Sequence, residues 1–175
     1  MKKPKLIIIR GSPANGKSTL ARNLTKKFRG KIALLIVDEF RWIMTAHEQR
    51  DKKDHQISFD NLLYALKNYL KEGYIIIIED SWIKRHKDKS TDVGKVIKLG
   101  EKYGAKIYRL LLKGNWDTVK HINTLRPMVV PQKSLKSSYD KVYSQKIMGE
   151  TTINIDNKNL NQVLKEALKV LKEDK

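Results

Sequence analysis

Eight residues near the start of the chain restrict its fold more than anything that follows. Gly11, Ser12, Pro13, Ala14, Asn15, Gly16, Lys17 and Ser18 satisfy the spacing G-x-x-x-x-G-K-[ST], with the apolar run Leu6, Ile7, Ile8 and Ile9 just before it and helix-compatible sequence after it. Strand, glycine-rich loop and helix in that order separate a phosphate-cradling loop from a chance match. The two glycines allow a tight turn, so that successive N–H groups point into one concavity at the N-terminus of the following helix. Lys17 is expected to reach the β- and γ-phosphates of a nucleoside triphosphate, and the Ser18 hydroxyl to ligate the Mg²⁺ that bridges them. Thr19 adds a hydroxyl near the α-phosphate.

The rest of the chain repeats the alternation that this loop begins. A helix over 18–28 stops at Gly30, and the uninterrupted apolar stretch 32–37 reads as a strand covered on both faces. It ends at Asp38. Ligands of open α/β sheets gather beyond the carboxyl ends of the strands, so Asp38 is either a carboxylate facing the phosphate loop or the N-cap of a following helix, and one side chain can serve both ends. Residues 41–53 are polar and without a clear period. Ile57, Leu62, Leu63, Leu66, Tyr69 and Leu70 then share one helical face closed by Gly73, and a third buried strand runs to Glu79 and Asp80. Strand side chains alternate, so these two acids point to opposite faces. Asp80 is taken as the one that holds Mg²⁺-bound water or orients the substrate.

Further elements are expected as a helix over 91–103, a strand over 107–112, helices near 118–125 and 134–147, a short strand over 152–155 and a final amphipathic helix from Leu160 onward. Arg126-Pro127 ends the helix near 118–125 and opens a lid spanning about 114–134. The pattern predicts one α/β domain over 1–175, a five-stranded parallel sheet with helices on both faces.

Composition narrows the class further. Cysteine is absent, which excludes disulfide scaffolds, cysteine nucleophiles and thiolate metal sites, and suits a reducing cytoplasm. The first apolar run is too short for a signal-peptide core, and no segment approaches the roughly 20 apolar residues of a bilayer span, so a cytoplasmic protein with no membrane partner is expected. Lys and Arg number 37 against 19 Asp and Glu, a net charge of +18. Such a balance favours phosphate-rich polymers through counterion release, unless the lysines only decorate solvated faces. The densest run, Lys84, Arg85, His86, Lys87 and Lys89, follows the third strand and would sit on the rim of the site.

Together these residues resemble the small P-loop kinases, and among them the 5′-hydroxyl polynucleotide kinases. VDEFRWIM supplies Asp38, Phe40 and Arg41 where that family places an aspartate, an aromatic and an arginine, and AHEQRD and IIIIEDS are similar to the segments that follow. The resemblance implies that Asp38 is the general base for the attacking 5′-hydroxyl, that Arg41 contacts the phosphate next to the accepting nucleoside, and that Asp80 and Ser81 enter the substrate site. Arg126, with VVP and the helix carrying Tyr139 and Tyr143, resembles the lid. Where the family often has two lid arginines, this chain has one, with His121 and Ile122 near the other position and Lys120 close by.

Three functions follow as expectations. The first is an ATP- and Mg²⁺-dependent kinase, with Lys17, Asp38 and Arg126 as catalytic residues and the 5′-hydroxyl end of DNA or RNA as acceptor. Zeta-toxin-like and chloramphenicol-phosphotransferase-like kinases share the same anatomy, so a small-molecule acceptor is the second. The third is a nucleotide-gated module that hydrolyses ATP slowly to switch its contacts. The sequence leaves the oligomeric state open.

Overall fold

The computed structural model describes residues 3–43, 51–84 and 90–172. Arg85 to Lys89 of the basic run, and most of AHEQRD, lie outside them. Five strands, β1 (Lys5–Arg10), β2 (Ile32–Ile36), β3 (Ile75–Asp80), β4 (Lys106–Lys113) and β5 (Thr151–Asn154), form one parallel sheet in the order β2-β3-β1-β4-β5. β1, which leads into the phosphate loop, is central, and its last residue Arg10 lies beside Asp80 of β3. The chain therefore has the five-stranded parallel α/β architecture expected of it.

Alternation along the strands divides the core in two. Ile7 and Ile9 of β1 and Ile77 of β3 pack with Leu20 and Leu24 of α1 (Lys17–Thr25) and with Val163, Leu164 and Ala167 of α7 (Leu160–Lys172). Leu6 and Ile8 of β1, with Ile76 and Ile78 of β3, pack on the other face against Phe59, Leu62 and Leu66 of α3 (Lys52–Lys71) and against Val93 and Val96 of α4 (Asp92–Lys102). Continuous apolar strands are what a sheet buried on both faces requires.

Two elements depart from the sequence reading. A short helix, α2 (Val37–Trp42), starts directly from β2; Asp38 falls in its first turn and Ile36 occupies the cap position, so Asp38 is not an N-cap. α3 begins at Lys52, five residues before the apolar periodicity, because Asp51 accepts from the Lys53 and Asp54 amides while the Asp54 carboxylate accepts from the Asp51 amide. This capping box satisfies amide groups that the helix leaves unpaired.

The expected lid corresponds to α5 (Trp116–Thr124) and the turn leading to α6 (Gln132–Ser144). Asn123 closes that turn: its Nδ2 donates to Val130 O at 2.9 Å and its Oδ1 accepts from the Val130 amide at 3.1 Å. Leu125, Met128 and Val129 remain exposed on it. Among the described residues no helix is long and apolar enough to cross a membrane.

Candidate active site

The phosphate loop takes its shape from two backbone reversals, at Ala14 (φ 60°) and Gly16 (φ 82°). Positive φ is easy for glycine and costs an alanine energy, so the loop holds Ala14 in a strained conformation. A Cβ at Gly11 would overlap Asn15 Nδ2, which donates to Leu112 O at 2.9 Å. Lys17 Nζ donates to the carbonyl of Ser12 at 2.9 Å, holding its ammonium over the loop. Tyr143 from α6 reaches the same loop, with its hydroxyl 3.4 Å from both Ser12 Oγ and Asn15 Nδ2.

Beneath Tyr143, Arg10 is 1% exposed and anchors the segment after α6. Its Nε and Nη2 donate to Glu150 Oε1 and Oε2 at 2.6 and 2.7 Å, and its Nη1 and Nη2 donate to the carbonyls of Val142 and Gln145. The end of the loop strand and the end of α6 are thereby joined. The one sequence signal for this residue is a cation closing an otherwise apolar strand.

The two acids at the end of β3 take different partners, as alternation requires, and both line the cavity at the loop. Glu79 shares the face of Ile77, toward α1, and Ser18 Oγ donates to its Oε1 at 2.7 Å. Asp80 shares the face of Ile78, toward α2 and α3, and is held by Arg41, whose Nη1 and Nη2 donate to Oδ1 and Oδ2 at 3.2 and 2.9 Å. The carboxylate that accepts from Ser18 is thus Glu79, a residue the sequence reading left out of the site, and Asp80 lines the same cavity. Burial raises the Glu79 pKa, and Lys17 together with the Ser18 hydrogen bond opposes that rise only in part.

Arg41 also donates from Nη1 to Asp38 Oδ1 at 2.7 Å, so one guanidinium bridges Asp38 and Asp80. Burial works against its charge, yet Asp80 and then Asp38 outweigh it and raise its pKa. Asp38 is 63% exposed.

Lys17, Ser18, Thr19, Asp38, Glu79, Asp80, Ser81 and Arg126 line one cavity of about 290 Å³, closed from the lid side by Arg126 and Ile122. Pro13, Ala14 and Gly16 of the loop line it too, whereas Gly11, Ser12 and Asn15 lie behind the loop surface, and Arg41 lines a neighbouring cavity of about 480 Å³ with Lys52, His55, Phe59 and Lys84. The Arg41–Asp38 ion pair therefore links the two cavities. Among the described residues no group of three or more His, Asp or Glu side chains could hold a metal by itself. A hydroxyl and one carboxylate nevertheless suit Mg²⁺, which binds through one or two protein oxygens and completes its shell with phosphates and water.

Comparison with known proteins agrees with this anatomy. A gluconokinase from Sinorhizobium meliloti superposes with a TM-score of 0.69 at 15% identity, covering 99% of this chain and 94% of that one. The APS kinase of Mycobacterium tuberculosis, in complex with AMPPNP and APS, superposes at 0.62 with 12% identity over 98% and 99%. A chain of an RNA repair complex gives 0.65 and 15% identity over 82% of this chain and 45% of that one. No curated protein matches the sequence. A family model described as an AAA domain matches residues 6–141, and with most of the chain inside that match the protein belongs to this AAA domain family, in the P-loop kinase fold.

Proposed function

We propose that the protein transfers the γ-phosphoryl group of ATP to a hydroxyl acceptor, and that this acceptor is the 5′-hydroxyl end of a DNA or RNA strand. The observation that carries the reading is the position of Arg41, between the Asp38 carboxylate at the phosphate cavity and a second cavity also lined by Lys52, His55 and Lys84. A hydroxyl at Asp38 would then have its anionic neighbour, the first phosphodiester of the strand, beside Arg41. Net positive charge and the RNA repair relative support a polynucleotide.

The chain's own groups have distinct tasks in this reaction. The loop amides and Lys17 hold the triphosphate, and Ser18 and Glu79 would hold Mg²⁺, which would supply neutralisation of phosphate charge. Asp38 accepts the proton of the acceptor hydroxyl as its oxygen bonds to the γ-phosphorus; the bond to the β,γ-bridging oxygen breaks and ADP leaves. Asp38 is exposed enough to pass the proton to water. Arg126 stabilises charge on the transferred group, and positioning does most of the remaining work.

A second reading is a small-molecule acceptor, favoured by the size of the Arg41 cavity and by its apolar walls at Val37, Phe59 and Ile83. Gluconokinase and APS kinase among the structural relatives support it. One experiment separates the two: γ-labelled ATP and Mg²⁺ offered with 5′-hydroxyl oligonucleotides beside a pool of small hydroxyl compounds. Label in the oligonucleotides is expected. Label confined to the small compounds would replace the first reading by the second.

A further inference from the structure

A groove runs down the outer surface between α3 and α4, beginning where the acceptor cavity ends. The first two turns of α3, with Asp92 at the start of α4, line that cavity. The turns that follow, carrying Leu63, Tyr64 and Lys67 on α3 and Lys95, Lys98, Leu99 and Lys102 on α4, line a second hollow of about 490 Å³. From Lys52 to Lys67 the helix rises about 22 Å at ~1.5 Å per residue, the reach of several nucleotides of extended strand.

Some surface lysines are held by acids, Lys120 by Asp117, Lys136 by Asp140 and Lys158 by Glu166. Among the described residues none of Lys67, Lys95, Lys98 and Lys102 has such a partner. The one acid in the hollow, Asp60, instead accepts from Gln56 Nε2 at 2.8 Å. Lys95, Lys98 and Lys102 recur at helical spacing on one side, while the floor between the lysines is apolar, with the Tyr64 ring 67% exposed. Separated cations along an apolar, aromatic floor match the alternation of phosphates and bases in a single strand.

We propose that the α3–α4 groove binds the body of a single-stranded nucleic acid whose 5′ end lies at Asp38. The proposal rests on the polynucleotide reading above and adds where the strand beyond its first nucleotide is held. Lys67, Lys95, Lys98 and Lys102 take successive phosphates, and Tyr64 stacks on a base.

The test compares two acceptors and two variants. With Lys67→Ala, Lys98→Ala and Lys102→Ala combined, the KM for a 5′-hydroxyl 12-mer is expected to rise about tenfold or more, and the slope of its salt dependence to fall by about 2. Tyr64→Ala is expected to raise the same KM by about five- to tenfold. The KM for a nucleoside 3′-monophosphate and both kcat values stay unchanged, because that acceptor ends inside the first cavity. Equal KM values for the 12-mer in variants and unaltered protein would overturn the groove. If neither acceptor is phosphorylated, the reading of the reaction fails, and anisotropy of a labelled 12-mer judges the groove by itself: weaker binding by the variants supports it and unchanged binding removes it. A poly-glutamate peptide that binds as tightly as the 12-mer, and loses binding in the same variants, would assign the groove to an acidic protein instead.

Discussion

The Ser18 hydroxyl donates to Glu79 Oε1 at 2.7 Å, which places a buried carboxylate directly behind the residue expected to hold magnesium. Glu79→Gln is expected to weaken Mg²⁺-dependent ATP binding about a hundredfold, as measured by calorimetry, while binding of ATP without Mg²⁺ changes little. The first effect follows from loss of the negative charge facing the ion.

The same residue gives a pH signature. Its folded-state pKa lies above the ordinary value of 4.5, chiefly through burial. The folded state therefore holds this proton more tightly than the unfolded one, so the contribution favours folding in acid and is lost as pH rises through the raised pKa. Removing the group removes the loss. Melting temperatures of Glu79→Gln, measured from pH 4.5 to neutrality without nucleotide, are expected to gain on those of the unaltered protein as pH rises.

Asp38 and Arg41 act on different kinetic constants. Asp38→Asn is expected to lower kcat by about a hundred- to ten-thousandfold with nucleotide affinity nearly unchanged, the cost of removing a general base. Arg41→Ala is expected to act mainly on the acceptor's KM. Because Asp80 holds Arg41 by two hydrogen bonds, Asp80→Asn is expected to reproduce part of the Arg41 effect and to add little to it in the double variant. Full additivity would place Asp80 in a separate role.

Arg126 is exposed and lines the phosphate cavity without an acidic partner among the described residues. Arg126→Ala is expected to lower kcat about a hundred- to thousandfold and to leave the melting temperature within a degree or so, as suits a side chain that engages only the transition state.

The buried Arg10–Glu150 pair has the opposite profile. Arg10→Ala strands a carboxylate that is 9% exposed, and breaking such a pair costs about 3–5 kcal/mol. Urea unfolding of the ligand-free protein is expected to show it. Replacing both partners by apolar residues of similar volume is expected to recover most of the loss.

Much of this architecture was legible in the chain itself. The apolar strands announced a sheet covered on both sides, and the glycines, lysine and serine of the loop announced the phosphate site, because each is a local requirement of backbone geometry. Alternation also told that Glu79 and Asp80 must part, but not which way. That depended on whether Ile77 or Ile78 faced α1, a property of sheet order and helix placement that four consecutive isoleucines conceal. α2 was hidden for a similar reason, since Val37 reads equally well as strand end or helix start. Arg10 and Glu150 are 140 positions apart, and no local pattern links them.

Glu79 and Asp80 are neighbours in the chain and line the same cavity, yet each takes its partner from a different helix, Ser18 from α1 and Arg41 from α2. One strand end thus ties a carboxylate to each of two helices. Substitutions in α3 and α4 can reshape what is phosphorylated without disturbing the grip of α1 on the phosphate source, and a single-residue bulge before Glu79 would exchange both chemistries at once. Acceptor choice in such a fold is free to diverge while the donor site stays as it is.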